Sequence, residues 1–190
     1  MKRLSIVLVF TFVLLSSLYS QERNTTKEVG IYFSNLDAFG IRYKFGNEKH
    51  MFRITALSIN FGNSNSNANG TTVENTNSGA GLNIGFELPV NITENFTFYY
   101  GGELSGAFGH FKYSSHDTET SSTSNTTNTG IGFVLGFSHR INANILISAE
   151  IVPGLHFYRT ENGSNEDSGY GFGLYSNAAG ITLSYRFNTK

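Results

Sequence analysis

The stretch Gly79-Ala80-Gly81-Leu82-Asn83-Ile84-Gly85-Phe86-Glu87-Leu88-Pro89-Val90 reads as one strand with two very different faces. Side chains alternate across a strand, so Ala80, Leu82, Ile84, Phe86, Leu88 and Val90 share one side. Gly79, Gly81, Asn83, Gly85, Glu87 and Pro89 share the other. Period two alone says only that one face is buried. The second face is what decides the fold. A soluble sandwich or lipocalin would show Lys, Glu, Asp and Arg there. Glycine, asparagine and one carboxylate suit a cramped polar interior, and the apolar face is then turned to lipid.

The same contrast recurs downstream. Phe96, Phe98, Tyr100, Leu104 and Phe108 oppose Thr97, Gly101, Glu103, Ser105 and Gly109. Ile131, Phe133, Leu135, Phe137 and Ile141 oppose Gly130, Gly132, Gly136, Ser138 and Arg140. Ile145, Ile147, Ala149, Ile151, Leu155 and Phe157 oppose Ser148, Glu150, Gly154 and His156. Three stretches rich in Asn, Ser and Thr, 63–78, 114–129 and 159–168, read as long solvated loops. Shorter breaks fall at Gly46-Asn47-Glu48-Lys49, at 91–94, at Asn142-Ala143-Asn144 and at Ser34-Asn35-Leu36-Asp37. Cutting there leaves eight strands, roughly 28–34, 38–46, 50–62, 79–90, 95–113, 130–141, 144–158 and 169–187. With both termini on the periplasmic side, every even-numbered connection is a tight periplasmic turn and the long ones face outward. The fold expected is all-β, an eight-stranded antiparallel up-and-down transmembrane β-barrel.

Composition supports an exported barrel. The 190 residues allow one domain, and 21 Gly, 17 Phe and 10 Tyr stand beside only 2 Pro. Residues 1–20 have the layout of a secretory signal peptide: the basic start Met1-Lys2-Arg3, an apolar run from Leu4 to Leu15, then small residues up to Ser20. The run is too short for a membrane helix. The barrel domain is accordingly 21–190. Without Lys2 and Arg3, 11 basic residues face 14 acidic ones, a net charge of −3 (11 minus 14), with no basic patch to engage nucleic acid. The chain contains no Cys, so disulfides and a lipid-modified cysteine are excluded.

Aromatics collect near both strand ends. Tyr43, Phe45, Phe52, Phe96, Phe98, Phe137, Tyr185 and Phe187 mark the periplasmic rim, and Phe61, Phe108, Phe111, Tyr113, Phe157, Tyr170 and Phe172 the outer one. Two strands break their own alternation. In the third, Phe52, Ile54 and Ala56 compete with Leu57, Ile59 and Phe61 for the lipid face. In the last, Tyr170, Phe172 and Leu174 change parity to Ile181, Leu183, Tyr185 and Phe187, which calls for a β-bulge within 175–179.

With its signal peptide, its glycine–aromatic strands and the final strand Ile181-Thr182-Leu183-Ser184-Tyr185-Arg186-Phe187, the chain resembles the outer-membrane β-barrel domain family of small porin-like proteins, the OmpA/OmpX type. The resemblance covers the mature chain. It implies residence in the bacterial outer membrane, contact with its lipids, and recognition by the barrel-assembly machinery of a last strand carrying Tyr185 and Phe187. It implies no single activity.

Parity assigns Arg42, Lys44, Glu87, Glu103, Arg140, Glu150 and Arg186 to the lumen. Both signs are present, and charges withdrawn from water need partners, so the expected arrangement is a polar plug. A narrow ion or small-solute channel is the alternative. A lipid-modifying enzyme is a further one, with His110, His116-Asp117 and His156 near Ser114 and Ser115 at the outer rim. No nucleophile pattern or ligand spacing accompanies those histidines, so catalytic, cofactor and metal sites are all expected to be absent. The remaining expectation is a structural or surface-interaction role, through the long outer connections and a surface ligand of unspecified chemistry.

Overall fold

The computed structural model describes residues 25–34, 39–68, 71–115, 120–174 and 178–189. The signal peptide, the 35–38 part of the first turn and the pair His116-Asp117 lie outside these residues. The described chain forms ten strands: β1 (Thr25–Phe33), β2 (Phe39–Gly46), β3 (Met51–Ala68), β4 (Thr71–Asn91), β5 (Phe96–Ser115), β6 (Thr120–Arg140), β7 (Ile145–Ile151), β8 (Gly154–Asn162), β9 (Asn165–Gly173) and β10 (Ala179–Thr189). All pair antiparallel.

Eight of them close a ring. Each of β1 to β6 pairs with the next, β7 pairs with β10, and β10 returns to β1. The barrel therefore has no free edge at this level. The seventh expected strand is β7 followed by β8, interrupted at Val152-Pro153. The eighth is β9 followed by β10.

Two irregularities account for the parity conflicts. Leu57 pairs with Gly81 and Asn60 with Gly79, so three steps along β3 match two along β4. One extra residue switches the faces of β3 from that point on. At the other place, Gly154 pairs with Gly173 and Ile151 with Ala179. Six steps (173 to 179) stand against three (151 to 154), and the odd excess reverses the alternation between β9 and β10. The bulge expected within 175–179 falls largely on 175–177, outside the described residues.

Where the structure describes them, the three polar stretches are strands rather than loops, which corrects the sequence reading. Residues 63–68 and 71–78 continue β3 and β4 as a ladder, 120–129 belongs to β6, and 159–168 is the hairpin of β8 and β9. The backbone bonds of a hairpin do not need apolar side chains, and threonine favours strands. Polarity on both faces reported water on both sides, not irregular chain. At about 3.3 Å per residue, the 20 residues of β5 extend roughly 65 Å. Some 9–11 residues cross a bilayer, so about half of β5 stands beyond it. The β8–β9 turn passes through Gly163 at φ +59°, a conformation that glycine adopts without strain.

Candidate functional site: the barrel lumen

Alternation sends one set of side chains outward. Leu82, Ile84, Phe86, Leu104, Ile131, Phe133, Ile147, Ile151, Ile181 and Leu183 are all exposed on the outer wall. Toward the end with the tight turns, aromatic rings cover the wall. Phe45 stacks between Tyr43 and Phe52, Phe137 lies against Phe96 and Phe98, and Tyr185 meets Phe187 edge-on.

The inward set is charged, buried and paired. Arg53 on β3 is its hub. Its Nη1 donates to Glu87 Oε1 at 2.9 Å and to Glu150 Oε2 at 2.9 Å. Its Nη2 donates to Glu150 Oε1 at 2.8 Å, and its Nε to Glu103 Oε2 at 2.8 Å. Arg42 on β2 reaches the same Glu150 Oε1 at 2.8 Å and donates to the hydroxyls of Thr55 (2.9 Å) and Thr182 (3.0 Å). Lys44 contacts both oxygens of Glu87, at 2.8 and 2.9 Å. Three cations thus meet three carboxylates (Glu87, Glu103, Glu150), and the cluster is neutral.

Lys44 and Arg53 stand directly opposite each other across β2 and β3, a repulsive placement by itself. Glu87 offsets it by bonding both. The hydroxyl of Tyr99 donates to Glu150 Oε2 at 3.0 Å, and Asn83 Nδ2 donates to Glu103 Oε1 at 2.9 Å. The Arg42 guanidinium lies 4.1 Å from the centre of the Tyr32 ring, and Lys44 Nζ 4.6 Å from that of Tyr99. The wall glycines make room for these rings. A Cβ on Gly136 would land on the Tyr99 ring, and one on Gly180 on Tyr32.

A closed ladder with an apolar outside and a buried, charge-balanced inside is the inverse of a soluble protein, and it is what a bilayer requires. The chain has the fold of a small outer-membrane β-barrel. No protein-family model and no curated protein matches it. Among solved structures, it is similar to a major outer membrane protein from Thermus thermophilus, at 11% identity and TM-score 0.45, covering 88% of this chain and 100% of that one. It is also similar to Ail, the attachment invasion locus protein of Yersinia pestis, at 14% identity and TM-score 0.43, covering 88% and 100%. Neisserial surface protein A aligns at 13% identity and TM-score 0.36 over 87% and 95%. The assignment of the fold to this barrel stands on the ladder and the inverted polarity.

Of the seven lumen charges expected from the sequence, Arg42, Lys44, Glu87, Glu103 and Glu150 come together in the one cluster. Arg186 makes a separate pair, with Nη2 2.7 Å from Glu28 Oε1, nearer the tight-turn end. Arg140 keeps the inward register, opposite the buried Leu146, but it is exposed at the last position of β6 and stands apart from the cluster. Sequence reasoning missed Arg53 and Glu28. The bulge disguised the first, and the second stands near the start of the first strand, where few neighbours reveal a parity. His110 Nδ1 is 2.7 Å from Asn125 Oδ1, its cross-strand partner. Among the described residues, no group of three or more His, Cys, Asp or Glu side chains is placed to hold a metal ion.

Proposed function

We propose that the protein is an integral barrel of the bacterial outer membrane, closed along its bore by its own ion pairs, whose work is done outside by the sheet that rises beyond the bilayer. The single observation that carries this reading is the Arg53 hub, whose donors bond carboxylates from β4, β5 and β7 across the lumen. An eight-stranded barrel is only wide enough for side chains to fill it. A neutral, mutually bonded set fills this one, so the lumen acts as a plug. What remains available to other molecules is the apolar wall, for lipid, and the tall hairpins, for a surface partner.

In this reading, residues 1–20 are a signal peptide removed on export, 21–190 form the barrel, and Tyr185 and Phe187 present the last strand to the assembly machinery. The protein takes no cofactor and catalyses no reaction. Cell fractionation with gel electrophoresis tests the placement. Recovery with the outer membrane, and a mobility that changes on boiling, are expected. A mature protein that stays monomeric in buffer without detergent contradicts the reading.

A further inference from the structure

The ring is complete only near the tight-turn end. The β1–β2 hairpin stops at Phe33 and Phe39, whereas β3 continues to Ala68 and the place above β10 is taken by β9. Above that rim the wall is an open six-stranded sheet in the order β3-β4-β5-β6-β8-β9. Among the described residues, β9 pairs only with β8, and the Asn60–Ala68 part of β3 only with β4. The two strand positions missing from the ring are those of β1 and β2, a notch three inter-strand spacings wide, roughly 14 Å. β10 alone supplies 11 residues, enough for one crossing, so β9 stands past the outer interface.

We propose that this notch is a docking site for a β-hairpin of a second protein, which adds its two strands at the vacant positions. The inference rests on the outer-sheet reading above and names where on that sheet the partner binds. Three features specify the occupant. First, β3 runs outward and β9 inward, so an antiparallel filling needs one strand descending beside β3 and one ascending beside β9. That is a hairpin with its turn at the floor of the notch. Second, the outer face of β9 lacks cover. Tyr170 is 86% exposed and Phe172 79%, against 50% for Phe157 and 57% for Leu155, their direct partners on β8. The ascending strand must therefore carry apolar residues at alternate outward positions near the bilayer. On its inner face β9 presents only Gly169, Gly171 and Gly173, and the Tyr158 ring lies over Gly169, so the inward position beside that ring must be small. Third, the β8–β9 tip holds Glu161, Glu166 and Asp167 against Arg159, which already contacts both glutamates. That surplus of negative charge calls for lysine or arginine at the distal end of the hairpin. Main-chain bonds to both edges supply affinity, and the alternate side chains supply specificity.

The test uses the full chain in lipid nanodiscs and, as probe, a synthetic disulfide-closed hairpin of alternating Val and Thr with lysines at its open end. Binding is read by amide hydrogen exchange. Exchange at 165–173 and at 62–68 is expected to slow about tenfold or more when the edges become paired. A second variant lengthens the β1–β2 hairpin by about four Thr/Val residues per strand, so that the chain fills its own notch. It should show the same edge protection without probe, keep its boiling-dependent mobility, and lose probe binding. Protection confined to the β5–β6 tip would overturn the notch and leave the outer-sheet reading intact. No binding, or equal binding to the lengthened variant, would overturn the notch as well. The outer-sheet reading fails separately, if removing the hairpins changes no surface property.

Discussion

Arg53 and Glu150 stand on opposite walls of the barrel, on β3 and β7, and bond through two parallel contacts of 2.9 and 2.8 Å. The pair spans the bore, and each partner also holds others: Glu87 and Glu103 for the arginine, Arg42 and Tyr99 for the carboxylate. A fork-to-fork contact of this kind fixes geometry as well as charge.

Replacing Arg53 by Met should leave three buried carboxylates facing only Arg42 and Lys44. Removing one partner of a buried pair costs about 3–5 kcal/mol, so the urea midpoint in lipid vesicles should fall sharply. Glu103→Leu should cost about 3 kcal/mol by the same argument. Arg186→Met should cost less, because the Arg186–Glu28 pair is more open to water. Equal midpoints for all three variants would show that burial does not set these energies.

Gly136→Val tests why glycine lines the lumen. The new side chain would displace the Tyr99 ring, with loss of its bond to Glu150 and its contact with Lys44. Overpacking of this sort costs about 1–3 kcal/mol, readable as a lowered unfolding midpoint and altered tyrosine fluorescence. The double variant Gly136→Val with Tyr99→Ala should recover part of the loss.

On the outer wall, Leu104→Arg should destabilise by about 2–4 kcal/mol in lipid, because a charge at bilayer depth has no partner there. Asn77→Arg, high on β4, should change stability by less than about 0.5 kcal/mol. The comparison is made on folded fractions in vesicles. Similar costs for both would contradict the placement of the bilayer around the lower half of the strands.

Removing 64–75, the distal part of the β3–β4 hairpin, should leave insertion and boiling-dependent mobility unchanged. Asn63 and Thr76 then form a two-residue turn that closes the Gly62–Asn77 pair. A variant that no longer inserts would show that the hairpins serve the barrel rather than a surface role.

Much of this was legible in the sequence. Strands with regular alternation, such as 79–90 and 130–141, declared both their faces, because nearly every inward position was small or polar and nearly every outward one apolar, Val134 and His139 being the exceptions in the second. Arg53 was not legible. Its neighbours Phe52 and Ile54 pointed to one register and Ile59 and Phe61 to another, and only the pairing of Leu57 and Asn60 on β4 resolves them. The polar hairpins were misread because period two disappears when both faces meet water, while the ladder persists unseen. Parity also says nothing of where a strand ends: Arg140 keeps the inward register, opposite the buried Leu146, yet is exposed at the end of the wall. The partners of each lumen charge depend on the curvature of the closed ring, which no local pattern contains.

The most direct test of the proposed lumen plug is conductance. Purified protein reconstituted in a planar bilayer should give no steady openings across the physiological voltage range, whereas Arg53→Ala should give frequent noisy ones as the unpaired carboxylates draw in water. Stable, ion-selective openings in the unaltered protein would contradict the plug and make the lumen a channel.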